Sequence, residues 1–250
     1  MGENLVQKYK LSFINDQDLY NHVKDTVLKY RYKINLDDFN KNIIDPIKLT
    51  FDAKIYGLSI VEIIQNESLR QIDKSNSNHI GYFHQNIFKY FGKGWEVPKQ
   101  GYDIVNKEQN IFIELKNKHN TMNSGSAQKV YKSMQNTILE NDKATCMLVE
   151  VIAKKSQDEA WECSVDGNKR KHEKIRRVSI DKLYEKVTGE KNAFFHLCKV
   201  LPTVLDDVLM EIKEISLHNS VQDDLGKDNI DILKSLYSLA FSTYEGFSDI

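Results

Sequence analysis

Past Gly94 the apolar residues of this chain stop recurring at every third or fourth position and begin to alternate or to run together in short blocks. Trp95-Glu96-Val97, Tyr102 to Val105 and Ile111 to Leu115 read as three short strands, the last two joined by the polar turn Asn106 to Asn110. Asn117 to Ser126 are almost wholly polar and read as a loop. Ala127 to Glu140 follow as a helix with Val130, Met134 and Ile138 along one face. Cys146 to Ile152 then form a strand apolar enough for the interior of a sheet. Three strands, a helix and a strand at the centre make the chain α/β.

The flanks are mainly helical. Leu19, Val23, Val27 and Tyr30 recur at helical spacing after the start signal Asp16. A second helix is predicted from Asp45-Pro46, with Leu49, Ala53, Tyr56, Ile60, Ile63 and Ile64 on one side. The polar segment Lys74 to Asn78 reads as a break. A third helix carries Ile80, Phe83, Ile87 and Phe91 and ends at Gly92. Beyond the central strands, Trp161 to Val165 and Val178 to Ile180 read as strands on either side of a basic run from Lys169 to Arg177, and helices at Lys182 to Val187 and Ala193 to Glu214 close the domain. A length of 250 residues accommodates a helical region over 1–75 packed on a core over 76–250 that includes the C-terminal helices.

No apolar run approaches the roughly 18 to 20 residues needed to span a bilayer, and the opening MGENLVQKYK lacks the apolar stretch of a signal peptide, so the expected location is the cytoplasm, away from membranes. Cys146, Cys163 and Cys198 lack the close pairing of a zinc site or a disulfide framework and are expected to be reduced. A net charge of −1 leaves the question of nucleic acid to local patches.

On the strand through Glu114, alternation sends Phe112, Glu114 and Lys116 to one face and Ile111, Ile113 and Leu115 to the other. An aspartate on the preceding strand, Asp103, can converge with that charged face. Two carboxylates so placed bind a hard divalent cation such as Mg²⁺, which keeps several waters and takes phosphate oxygens, and the carbonyl of Leu115 offers a further ligand. Lys116 would hold the attacking water and stabilise charge on a phosphate, which describes phosphodiester hydrolysis. A Glu-x-Lys tripeptide alone is commonplace and more often an ion pair on a strand edge. The aspartate before it, the hydrophobic run entering it, and the polar loop and helix after it point to the site.

Gly101-Tyr102-Asp103 followed by Ile113 to Lys118 resembles the PD-(D/E)XK motif of restriction endonucleases, with Tyr102 where the motif's name has proline. Ile80 to Asn86, Ile113 to Asn120 and Thr121 to Ser124 are similar to the type II family that cuts GGNCC, a resemblance covering residues 75–205. It implies a central mixed sheet flanked by helices with an N-terminal helical annex. It also implies a Mg²⁺-dependent, homodimeric endonuclease acting on double-stranded DNA within or beside a palindrome. A cognate DNA methyltransferase would act in the same cell without direct contact.

In such nucleases a helix residue of His, Glu or Gln type completes the metal site, which nominates His84 or Gln85. His84 lies about 60° from the centre of its helix's apolar stripe and Gln85 nearly opposite. Asn117, Lys118, His119, Asn120, Asn123 and Ser124 of the loop after Lys116 are candidates for DNA contact. So are Lys169, Arg170, Lys171, Lys174, Arg176 and Arg177. Their plainer readings are a polar connection and a solvated hairpin turn. Two further functions stay open: a repair or junction-resolving nuclease of the same fold, and a DNA-binding module in which Asp103, Glu114 and Lys116 form an inert ion cluster.

Overall fold

A computed structural model of the chain describes residues 8–42, 44–119, 121–212, 216–221, 224 and 232–241. Two compact units are formed. One comprises residues 8–28 and 80–211, the other residues 29–79 and the described residues from 212 on.

The first unit holds a six-stranded sheet of order β2-β3-β4-β5-β7-β6, where β2 is Trp95–Glu96, β3 Ile104–Asn106, β4 Ile111–Lys118, β5 Thr145–Ile152, β6 Asp158–Val165 and β7 Asn168–Ser179. The three central strands β4, β5 and β7 run parallel, and antiparallel partners border them on both sides. The mixed sheet flanked by helices thus agrees with the expectation.

The crossover between parallel β4 and β5 is α5 (Ser124–Glu140), as parallel pairing requires a long connection. Its apolar face, Tyr131 and Met134 with Val130 and Ile138, packs on Cys146, Leu148, Trp161 and Ile175 of the sheet. In β5 every residue from Cys146 to Glu150 is buried, which accounts for its near-continuous apolar run. A second aromatic core gathers Phe88, Phe91 and Phe194 around Tyr184, which belongs to α6 (Ile180–Thr188), while Phe194 starts α7 (Ala193–Glu211).

The basic run lies inside β7 and is not the turn. The turn is Asp166-Gly167, with φ of 50° and 78°, the two-residue left-handed geometry that tight hairpins adopt. Asp-Gly between apolar alternations is the sequence signal for such a turn, and it accounts for the paired register of Val165 with Asn168.

In the second unit α2 (Leu36–Asn40), α3 (Pro46–Tyr56), the first part of α4 (Ile60–Asn86) and α8 (Ile232–Phe241) enclose Phe39, Leu49, Ile63, Ile64 and Leu236. A parallel strand pair, β1 (Lys33–Ile34) with β8 (His218–Asn219), adds Ile34 to that core. The helix break comes earlier than predicted. Gly57, at φ 64°, ends α3, and the reciprocal bonds of Ser59 and Glu62 start α4. The polar Lys74 to Asn78 segment stays helical because it contains no glycine or proline, and Asn76 uses its amide to bind both backbone groups of Arg31.

The two units do not follow the division at residue 75. Helix α1 (Asp16–Lys29) contributes to the sheet unit, where His22 bonds the carbonyl of Phe83 at 2.9 Å and Lys24 pairs with Glu211 at 2.5 Å. The chain from 212 on groups with residues 29–79. Among the described residues no helix is long and apolar enough to cross a membrane.

Candidate active site

Antiparallel pairing of β3 with β4 stops at Ile104 opposite Ile113, and one more step of that register sets Asp103 opposite Glu114. Directly opposed residues share a face. Gly101, at φ 90°, makes the turn that brings Tyr102 and Asp103 into this position. Where a strand partner would have bonded the edge of β4, the Asp103 carboxylate accepts the N–H of Leu115 at 2.7 Å. A strand residue presents its N–H and its C=O to the same edge, so the Leu115 carbonyl opens on the side where Asp103 sits.

Gln85 completes the arrangement. Its side-chain amide donates to the Asp103 carbonyl at 3.0 Å and to the Asp103 carboxylate at 3.3 Å. Burial raises the Asp103 carboxyl above its ordinary range, the Leu115 N–H opposes that rise, and the neighbouring Glu114 carboxylate adds to it. Lys116 leans on Glu114 at 2.6 Å, both side chains being about a quarter exposed.

The site opens into a cavity of ≈ 540 Å³ lined by Gly101, Tyr102, Glu114 and Lys116 and by Ser126, Lys129 and Ser133 of α5. Among the described residues no three His, Cys, Asp or Glu side chains gather into a metal cage. The donors brought together are two carboxylates and a peptide carbonyl, an all-oxygen set that fits a hard cation retaining waters.

His84 points elsewhere. Its ring packs on Phe83 and Phe194, its Nδ1 has no hydrogen-bond partner among the described residues, and burial, with a smaller contribution from His22, pushes its pKa down to about 4. Gln85, a position 100° further around α4, is the one brought to Asp103. Gln85→Ala should leave the Asp103 carboxylate oriented by the Leu115 N–H without its amide partner and slow any reaction that uses that carboxylate by about 10- to 100-fold; turnover rates check this, and an unaltered rate would remove Gln85 from the site.

The loop candidates separate. Asn117 faces α4, where its amide atoms lie 3.4 Å from the point a Cβ on Gly81 would occupy, an ordinary contact distance. Asn123 caps α5 by accepting the N–H of Ser126 at 2.8 Å, and Ser124 begins that helix. His119 sits 3.0 Å from the buried carboxylate of Glu150. Lys118 is exposed, and Asn120 lies outside the described residues.

Most of the basic run is committed within the protein. Lys169 pairs with Glu162 at 2.9 Å, Arg176 with Asp158, Arg177 with Glu150, and Lys174 donates to the carbonyl of Asp142. Arg170 and Lys171 stand exposed. Two features escaped the sequence reading. Lys129 was passed over because only the apolar face of α5 was read, although Ser126, Lys129 and Ser133 recur at helical spacing. Glu150 is the lone charge in an apolar strand, the pattern a buried paired carboxylate leaves.

A family model described as Eco47II restriction endonuclease matches residues 11–210, and so extends beyond the resemblance over residues 75–205 into the N-terminal helices. Type II restriction enzyme Sau96I of Staphylococcus aureus is 35% identical over 218 residues, covering 81% of this chain and 82% of that protein. Type II restriction enzyme Eco47II of Escherichia coli is 31% identical over 221 residues, covering 80% and 89%.

Proposed function

Since the chain belongs to the Eco47II restriction endonuclease family and is a type II restriction endonuclease, we propose that Asp103, Glu114 and the Leu115 carbonyl form a Mg²⁺ site of the PD-(D/E)XK kind. The observation that carries this reading is the Asp103 carboxylate seated on the Leu115 N–H, opposite Glu114. Such an ion, when bound, supplies a more acidic water and offsets charge on the phosphate.

Gln85 and the Leu115 N–H orient Asp103, each leaving lone pairs of the carboxylate available. Lys116, 2.6 Å from Glu114, would place its ammonium on the attacking water and a non-bridging phosphate oxygen. Water adds to phosphorus and one P–O ester bond breaks. The motif resemblance through Ile80 to Asn86 and Ile113 to Asn120 supports GGNCC as the target. A palindrome calls for two copies of the chain, each cutting one strand. The setting would be the cytoplasm, with a methyltransferase protecting host DNA there.

Digestion of a sequenced plasmid tests this. Mg²⁺ or Mn²⁺ should give discrete linear fragments with ends at GGNCC. Ca²⁺, with longer bonds and looser geometry, should give none. Full cleavage after thorough chelation would overturn the metal site, and cutting confined to branched DNA would replace the restriction reading with a junction-resolving one.

A further inference from the structure

Besides Glu114 and Lys116, the cavity is lined by Ser126, Lys129 and Ser133, which fall within about 60° of each other around α5 and form one line roughly 10 Å long. A second surface depression continues along α5 past Lys129 and Ser133 to Asn136. The lysines here differ in their commitments. Lys116 is paired with Glu114 at 2.6 Å, and Lys132 reaches Asp166 at 2.8 Å. Among the described residues no carboxylate lies within ion-pair distance of the Lys129 ammonium, which is exposed at the cavity.

The position of α5 is also fixed relative to the carboxylates. Its apolar face is anchored in the sheet core, and the hydroxyls of Thr137 and Tyr102 are hydrogen-bonded at 2.8 Å. Tyr102 immediately precedes Asp103. A phosphodiester entering beside Asp103 and Glu114 brings its neighbours' negative charge with it, and α5 offers at the cavity the Lys129 ammonium, unpaired among the described residues, and a row of hydroxyls to meet that charge.

We propose that α5 grips the backbone of the strand being cut, with Lys129 bound to a phosphate next to the scissile one. The inference rests on the nuclease reading of the cavity. Successive phosphates of one strand advance about 3.4 Å along the duplex, so a line of this length spans more than one of them. Lys129 contacts no group that reacts, and its role is to hold the substrate.

The test uses the intact protein and a duplex carrying the target, with Ca²⁺ present so that binding is measured without cutting. Lys129→Ala should weaken binding about 10- to 100-fold, the range for one charge-assisted bond. It should also lower the slope of log affinity against log salt by about 0.9, as loss of one phosphate contact does. Lys129→Arg should keep the slope. In duplexes with single phosphates neutralised as methylphosphonates, one position beside the cut should cost the wild type a similar factor and cost Lys129→Ala nothing more. An unchanged salt slope, or full additivity at every phosphate, overturns the proposal while site-specific cutting by the wild type stands. Failure of the wild type to cut or bind its site would instead remove the nuclease reading itself.

Discussion

Asp103→Ala and Glu114→Ala are each expected to lower metal-dependent cleavage at least about a thousandfold, because each removes one of the two carboxylates of the proposed ion site. Duplex binding should persist or tighten, since the loss of a negative charge from a phosphate-binding cleft relieves repulsion. The two variants differ in what they leave behind. Glu114→Ala leaves Lys116 without its 2.6 Å partner. Asp103→Ala leaves the Leu115 N–H without its acceptor and the Gln85 amide with the backbone carbonyl at position 103 alone, so it also loosens the bend that Gly101 begins. Asp103→Asn separates these effects, because its amide oxygen still accepts from Leu115 while the charge is gone. Its cleavage rate should fall as far as that of Asp103→Ala, with a smaller loss of thermal stability. Near-normal single-turnover cleavage by Asp103→Asn would show that Asp103 is a scaffold and not a metal ligand.

Asp103, Glu114 and Lys116 were legible in the sequence because a strand's two-residue period assigns faces without reference to anything distant. The buried Ile111, Ile113 and Leu115 alternate with part-buried Phe112, Glu114 and Lys116 as that period requires. The choice between His84 and Gln85 was not legible, because it depends on which side of α4 meets the bend at Asp103, a tertiary fact. Of the two readings of the basic run, the solvated turn fails for a more local reason. Its consecutive charges suggested a solvated turn, yet they lie along β7 of a hairpin whose turn is set by Asp166-Gly167. The grouping of α1 with the sheet unit rests on bonds between residues far apart in the chain, such as Lys24 with Glu211, which no local pattern announces. In α4 the polar stretch from Lys74 to Asn78 has a composition that favours turns, and helix propensity there is overridden by burial on either side, at Ile72 and Phe83.

The commitment of Arg177 carries the second large expected effect. Glu150 is wholly buried in β5, in register with Lys116 on one side and Ser179 on the other. Arg177 Nε donates to it at 3.1 Å, and the His119 imidazole closes the group, Nδ1 lying 3.0 Å from the carboxylate and 2.7 Å from an Arg177 nitrogen. With a single proton position at Nδ1, the ring either donates to Glu150 or accepts from Arg177, and both arrangements tie the segment after β4 to the sheet. Had Arg177 been held for a phosphate, its removal would cost DNA affinity and little stability, as for an exposed pair worth under about 1 kcal/mol. Here its removal strands a buried carboxylate, for which a cost of about 3–5 kcal/mol is expected, a fall of roughly ten degrees in the thermal midpoint. The stranded carboxylate would also compete for Lys116, its neighbour across the sheet, so cleavage should slow as well. Adding Glu150→Gln to Arg177→Ala should recover much of the midpoint, because an amide in that place carries no charge to compensate. If the single and double variants melted together, or if Arg177→Ala melted like the wild type and lost only DNA affinity, Arg177 would belong to the DNA-binding surface that its sequence context suggested.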